Sequence, residues 1–408
     1  MKDKKIYLGI GIVFLLIITI SFSYAYFSIK VSGNDNAKDV VVNAGTLSLV
    51  YTDGPEIKVE NIRPGKTITK EVTVKNTGTL DTNYNIVWQS LINEITNDEL
   101  VLSATCQRLN TSGTVEGTCG PISQSPISDT AIARKISIES GITHKYTFTI
   151  LFKETNANQN YNQGKKFSGV LGIEEYKVPN FATDSWSTII ANVKAGYGSE
   201  YKVGSTKEVN LGTTYGTHTL RIANTSTPSE CSTTGFSQTA CGFILEFADI
   251  ITTHKMNDTE TNVGGWPATS IRTFVNNDIY NAIPSEIKNA IIDTTVVSGH
   301  GSTSGETNFT STDKLYLLAP KEIYTNWSNS SDTAKDLTRT LDYYTSIAVT
   351  TSNYSGAIKK NGTSAFAWWL RVANFNNNNG FYYVISGGPY YYSTASGTYG
   401  IGPAFRIG

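Results

Sequence analysis

Lys145-Tyr146-Thr147-Phe148-Thr149-Ile150-Leu151-Phe152 sets Tyr, Phe, Ile and Phe at every second position, with Lys and Thr between the first of them. A period of two is that of a strand with one buried face. The same reading extends outward. Ala44-Gly45-Thr46-Leu47-Ser48-Leu49-Val50, Glu71-Val72-Thr73-Val74-Lys75 and Tyr84-Asn85-Ile86-Val87-Trp88 precede it, and Phe167-Ser168-Gly169-Val170-Leu171-Gly172-Ile173 follows. Gly, Asp and Asn turns separate these segments. About seven such strands predict an all-β sandwich over residues 40–178.

The rest of the composition agrees. The chain has 408 residues, enough for two domains of ordinary size, and its formal net charge of −1 with 16% charged residues provides no field to draw nucleic acid. Tyr, Asn, Ser, Thr and Gly are abundant while Met and Cys are scarce, which favours strands and turns over helical bundles.

Lys2, Lys4 and Lys5 precede an apolar run from Ile6 to Phe22. Residues 1–27 therefore read as a signal peptide or a membrane anchor. As a helix through Phe27 the run would be about 33 Å long, enough to span a bilayer core. Ser23-Tyr24-Ala25 also places small residues for signal peptidase cleavage after Ala25. Either fate puts the protein at the cell surface, anchored or secreted. In that compartment Cys106 with Cys119 and Cys231 with Cys241 read as two local disulfides. Neither pair has the C-x-x-C spacing of a zinc knuckle, so no metal and no cofactor is expected.

After Val178-Pro179 helical periods appear among strands, predicting an α+β domain over 180–408. Asp184 is placed to cap a helix burying Trp186, Ile189, Ile190 and Val193 before Gly196. Ser270 opens a helix with Ile271, Phe274 and Val275 inward, and Pro284 opens another with Ile287, Ala290 and Ile291 inward. Asp313 to Leu318 reads as a strand, and Leu337, Leu341 and Tyr344 mark one more helix.

Between Arg371 and Arg406 there is no Asp, Glu, Lys, Arg, His or Cys. General acid–base work, metal ligation and thiol or amine attack all need such side chains, so the segment carries no catalysis of its own. It holds instead Asn374, Asn376, Asn377, Asn378 and Asn379, then Tyr382, Tyr383, Tyr390, Tyr391, Tyr392 and Tyr399. That is the composition of a paratope: Tyr gives large contact area at low entropic cost, and Asn, Ser and Gly give adaptable hydrogen bonds in mobile loops. Asn374, Asn376 to Asn379, Tyr382, Tyr390 to Tyr392 and Tyr399 are the candidate ligand-binding residues. The other reading packs the tyrosines into a sheet. Ala365-Phe366-Ala367-Trp368-Trp369 reads as core.

Two resemblances follow from these residues. Ser23-Tyr24-Ala25-Tyr26-Phe27, Asn43-Ala44-Gly45-Thr46-Leu47, Ile62-Arg63-Pro64-Gly65 and Val74-Lys75-Asn76-Thr77-Gly78 resemble camelysin and the TasA-type biofilm-fibre proteins over about the first 178 residues. This implies a jelly-roll-like sandwich, export through a dedicated signal peptidase, and self-assembly into surface fibres. The metalloprotease classification of camelysin does not carry over, because the histidines His144, His218, His254 and His300 form no H-E-x-x-H pair. Trp368-Trp369-Leu370-Arg371, the Asn/Tyr stretch and Gly400-Ile401-Gly402-Pro403-Ala404-Phe405-Arg406-Ile407 resemble the end of a domain of unknown function of Gram-positive surface proteins. Ile271-Arg272-Thr273-Phe274, Ile283-Pro284 and Asp313-Lys314-Leu315-Tyr316-Leu317 fit the same family. Its ending is similar to the C-type-lectin-like variable proteins of diversity-generating retroelements, which implies a lectin-like fold and binding residues diversified at adenines. Val372 and Gly402 depart from the pattern, the latter replacing an Arg whose loss implies a missing buried ion pair.

Three functions are in view. The first is a non-enzymatic surface binding or adhesion protein whose partner is a protein or glycan on another cell or phage. The second is a structural subunit of a matrix fibre that self-assembles by strand addition at an exposed edge. The third, an enzyme drawing on Asp249, His254, Asp278 or His300, has no motif spacing behind it.

Overall fold

The computed structural model describes residues 39–44, 47–54, 64–128, 131–301, 307–328 and 337–408. The apolar run of residues 6–22 and the cleavage point after Ala25 lie outside the described residues, as do residues 302–306. Among the described residues no helix is long and apolar enough to cross a membrane. The chain is mostly β-sheet and divides into two compact units, Met1–Lys177 and Val178–Gly408.

In the first unit every second residue of the strand Thr143–Phe152 is buried, as its alternation dictates. This strand lies between Thr67–Asn76 and Leu100–Leu109 in a seven-stranded antiparallel sheet. A three-stranded sheet is formed by Phe167–Glu175, Thr82–Asn93 and Ala133–Ile138. The two sheets enclose one core, to which the larger contributes Val74, Leu102, Tyr146 and Phe148 and the smaller Tyr84, Ile86, Trp88 and Leu171. Burying each such side chain is worth about 2 kcal/mol, so the alternation fixes the register as well as the fold. Both expected disulfides are formed, Cys106–Cys119 in this unit and Cys231–Cys241 in the second. The stretch from Cys106 to Ser125 carries strand pairing of its own. It includes Val115–Thr118 and Ile122–Gln124, both paired with Leu100–Leu109.

The second unit contains two five-stranded sheets and several short helices around a common core. The helix Trp186–Lys194 is capped by Ser185, whose hydroxyl accepts from Thr188 N, and not by Asp184. Asp184 instead accepts from Asn180 N and the Tyr201 hydroxyl. The helix Ser270–Phe274 runs into a wider turn, Val275–Ile279, with Ile271 and Val275 fully buried. Ile287, Ala290 and Ile291 are buried as expected. The expected helix over Leu337 to Tyr344 is confined to Asp342–Ser346, and Leu337 is exposed, so its apolar spacing misplaced the start.

Arg371 and Glu322, both fully buried, form a bidentate pair at 2.6 and 2.7 Å, with Arg371 also donating to the Leu317 carbonyl. A second buried carboxylate, Glu246, accepts from Arg221 at 2.8 Å, Lys359 at 2.8 Å and the Tyr344 hydroxyl at 3.0 Å. Burial alone would raise its pKa, but Arg221 and Lys359 outweigh burial and hold it at about 2. The Lys359 side chain lies across Gly402, where an added Cβ would come within 3.1 Å of Lys359 Cδ and 3.0 Å of the Asp249 carbonyl. The glycine at 402 therefore does not leave the core short of a cation: Lys359 crosses the backbone there and pairs with Glu246.

Candidate binding surface

The C-terminal segment builds most of one five-stranded sheet, ordered Thr252–Lys255, Thr398–Ile401, Trp368–Ala373, Gly380–Val384, Tyr390–Thr394. Trp368 and Trp369 are fully buried in it, as core residues should be, although Ala365 before them is exposed. Tyr390–Thr394 is the edge strand.

The three consecutive tyrosines of this edge have different fates. Tyr390 packs edge-on against Trp327, with ring centroids 4.7 Å apart, and against Tyr324 at 5.6 Å. Tyr382, on the neighbouring strand, joins the same cluster 5.1 Å from Trp327 and is only 3% exposed. Tyr391 and Tyr392 are 57% and 39% exposed and stack on each other at 5.1 Å with an interplanar angle of 14°. Among the described residues they are the only exposed large apolar side chains on the strands of this sheet. Tyr399 is half-buried, stacked on Tyr383 at 4.5 Å and set edge-on to Trp369 at 4.8 Å. Burial, with Tyr399 alongside, pushes the Tyr383 hydroxyl up to about 12, so it stays protonated and able to donate.

The asparagines form a tethered turn and not a mobile loop. Asn262, fully buried, donates through Nδ2 to the carbonyls of Asn374, Asn377 and Gly380 at 3.3, 2.9 and 3.0 Å. Its own backbone N–H donates to the Asn378 carbonyl, and Ala395 N donates to that of Asn379. Asn374 is buried and accepts from Asn376 N, so its side chain shapes the turn and is withdrawn from solvent. Asn376 and Asn378 are exposed, Asn377 and Asn379 half-buried. Of the ten expected contact residues, Asn374 and Tyr382 are thus committed to packing. Tyr391, Tyr392, Asn376 and Asn378 face solvent, and Asn377, Asn379, Tyr390 and Tyr399 are intermediate.

The residues considered for catalysis do not assemble. Asp249 binds His218 Nδ1 at 3.0 Å, while His218 Nε2 lies 2.8 Å from the Tyr215 carbonyl. The hydrogen bond to Asp249 raises the His218 pKa, and both ring nitrogens are engaged by neighbours within the fold. His254 stacks on Phe274 at 4.5 Å, His300 is buried, and Asp278 is exposed in the turn Val275–Ile279.

Residues 3–99 match the family model described as camelysin metallo-endopeptidase, and residues 243–408 match that of a domain of unknown function, DUF6273. Each match is shorter than the stretch over which the sequence resemblance runs. No curated protein matches the chain. The first family's description implies a metal, and the described residues do not fit one. Residues 3–99 contain no histidine and no cysteine. The one grouping of metal-type side chains among the described residues, Cys106, Cys119 and His144, lies beyond that region. Its sulfurs are joined to each other, and His144 Nδ1 is held by the Tyr84 hydroxyl at 2.8 Å. A disulfide offers no thiolate, so the set lacks the donors a zinc centre requires.

Proposed function

We propose that the chain is an exported surface protein that binds and does not catalyse, and that its second unit displays the Tyr391/Tyr392 edge to a partner. The observation that carries this reading is the contrast within one strand: Tyr390 is packed against Trp327, while the next two tyrosines stand exposed, stacked only on each other. Exposed aromatics without a partner contribute little to folding, whereas buried aromatic anchors dominate interface energies. The apolar N-terminal run and the camelysin-like match support export, anchored or secreted, with the first unit as a jelly-roll-like sandwich that carries the display domain. A C-type-lectin-like fold for the second unit and diversification of its ending belong to the same reading. A near-copy of the coding stretch for Trp368 to Gly408, differing only at adenines and lying beside a reverse transcriptase, would establish the diversification.

The test is an array of glycans and purified cell-surface proteins probed with the full chain. Wild type should bind at least one class of spot. Replacing Tyr391 and Tyr392 by Ala should remove that signal with little change in melting temperature. Binding that survives the double replacement contradicts the reading, and so does a wild type that binds nothing.

A further inference from the structure

The exposed edge is the end of a longer row. In an antiparallel pair, residues directly opposite share a face. His254 is opposite Tyr399, Trp369 is opposite Tyr383, and Tyr383 is opposite Tyr391. The ring contacts of Tyr399 with both Tyr383 and Trp369 put these pairs on one face. Each of the five strands therefore contributes one aromatic ring to a row: His254, Tyr399, Trp369, Tyr383, Tyr391. Trp369 is its fully buried floor, His254, Tyr399 and Tyr383 are half-buried, and Tyr391 is open. Four inter-strand steps separate the outermost strands by about 19 Å, and within that span the Tyr399 and Tyr383 rings meet at 4.5 Å beside Trp369 while His254 stacks on Phe274.

We infer that this aromatic row is a binding track for an uncharged, extended oligosaccharide, its outermost subsite formed by the stacked rings of Tyr391 and Tyr392. The inference rests on the display reading and names its ligand class.

Charge and area argue for this occupant over a protein. From residue 372 to 405 the only ionisable side chains are tyrosines, so an anionic or cationic ligand meets no counter-charge from this segment. Lys255 ends the opposite edge strand, and the Glu260 carboxylate accepts from the Ser396 hydroxyl at 2.8 Å. A standard protein interface buries about 800 Å² per partner around an apolar centre. Two tyrosines, roughly 200 Å² each and about half exposed, offer about 200 Å² in all. No other exposed large apolar side chain on these strands enlarges that patch. A sugar ring asks for less. Its C–H face covers one aromatic ring, and its hydroxyls take hydrogen bonds from the groups that flank the row. Those groups are the hydroxyls of Tyr383 and Tyr399, which pair with each other, and the Ser393 hydroxyl 3.1 Å from Tyr399 Oη.

The experiment is affinity electrophoresis of the full chain through gels containing hydroxyethyl cellulose, laminarin, mannan or galactan, with alginate and heparin as charged probes. Retardation is expected in at least one neutral gel, unchanged by added sodium chloride. It should weaken about tenfold or more in the Tyr391→Ala/Tyr392→Ala chain. His254→Ala, at the far end of the row, should weaken binding of long chains more than of short oligosaccharides. Retardation only in charged gels, abolished by salt, overturns the inference. So does Tyr391/Tyr392-dependent binding of an arrayed protein with no retardation by any neutral polysaccharide, a result that leaves the display reading standing. Neutral-gel retardation untouched by the double replacement overturns both.

Discussion

Tyr390 and Tyr391 are neighbours in sequence and opposites in role. The pleat turns Tyr390 into the cluster of Trp327, Tyr324 and Tyr382, while Tyr391 rises from the other face at an open edge. Composition alone treats the whole run as one binding surface. The sheet divides it into a structural half and a displayed half, and the structural half holds the displayed one in place. Asn374 and Asn376 divide in the same way, one withdrawn into the turn that the other decorates.

That division can be broken from the buried side first. Arg371→Ala should have the largest effect, about 3–5 kcal/mol of stability, because it leaves the Glu322 carboxylate buried without its cation. Urea unfolding measures it. Tyr382→Ala should cost about 3 kcal/mol, removing a ring wedged against Trp327 and Tyr390, again by urea unfolding. If Tyr382 were a ligand contact instead, its loss would leave stability nearly unchanged.

A smaller effect is expected from His218. Asp249 raises its pKa above the ordinary 6.5, so the folded chain holds a proton that the unfolded chain releases first. The stabilisation is complete below pH about 6.5 and is lost as pH rises through the raised folded value. Asp249→Asn should move the His218 titration downward, read by proton NMR, and flatten the decline of stability over that window. The smallest stability effect belongs to the displayed half: Tyr391→Ala and Tyr392→Ala should each change unfolding free energy by about 0.5 kcal/mol or less. A loss of several times that would assign them to packing.

Much of this was legible in the residues. The alternation in Lys145 to Phe152 and its neighbours marks the strands of the first unit, because a half-buried strand imposes a period of two. The cysteines pair locally, as their spacing implies. Three things were hidden for a common reason: they depend on partners remote in sequence. Which tyrosine of Tyr390-Tyr391-Tyr392 is buried is decided by Trp327, and the asparagine turn is tied down by Asn262. The row from His254 to Tyr391 exists only through the register of five strands. Gly402 misled in the same way, since the cation near it comes from Lys359.

The central claim is that Tyr391 and Tyr392 are a displayed binding surface. Its most direct measurement is nitration of the full chain by tetranitromethane, mapped by mass spectrometry, with and without the polysaccharide that retards it most. The account predicts that Tyr391 and Tyr392 react ahead of the other tyrosines of the second unit, that Tyr382 stays protected throughout, and that the bound polysaccharide shields the first two. Equal reaction of Tyr382, or nitration of Tyr391 and Tyr392 that the ligand leaves unchanged, would contradict it.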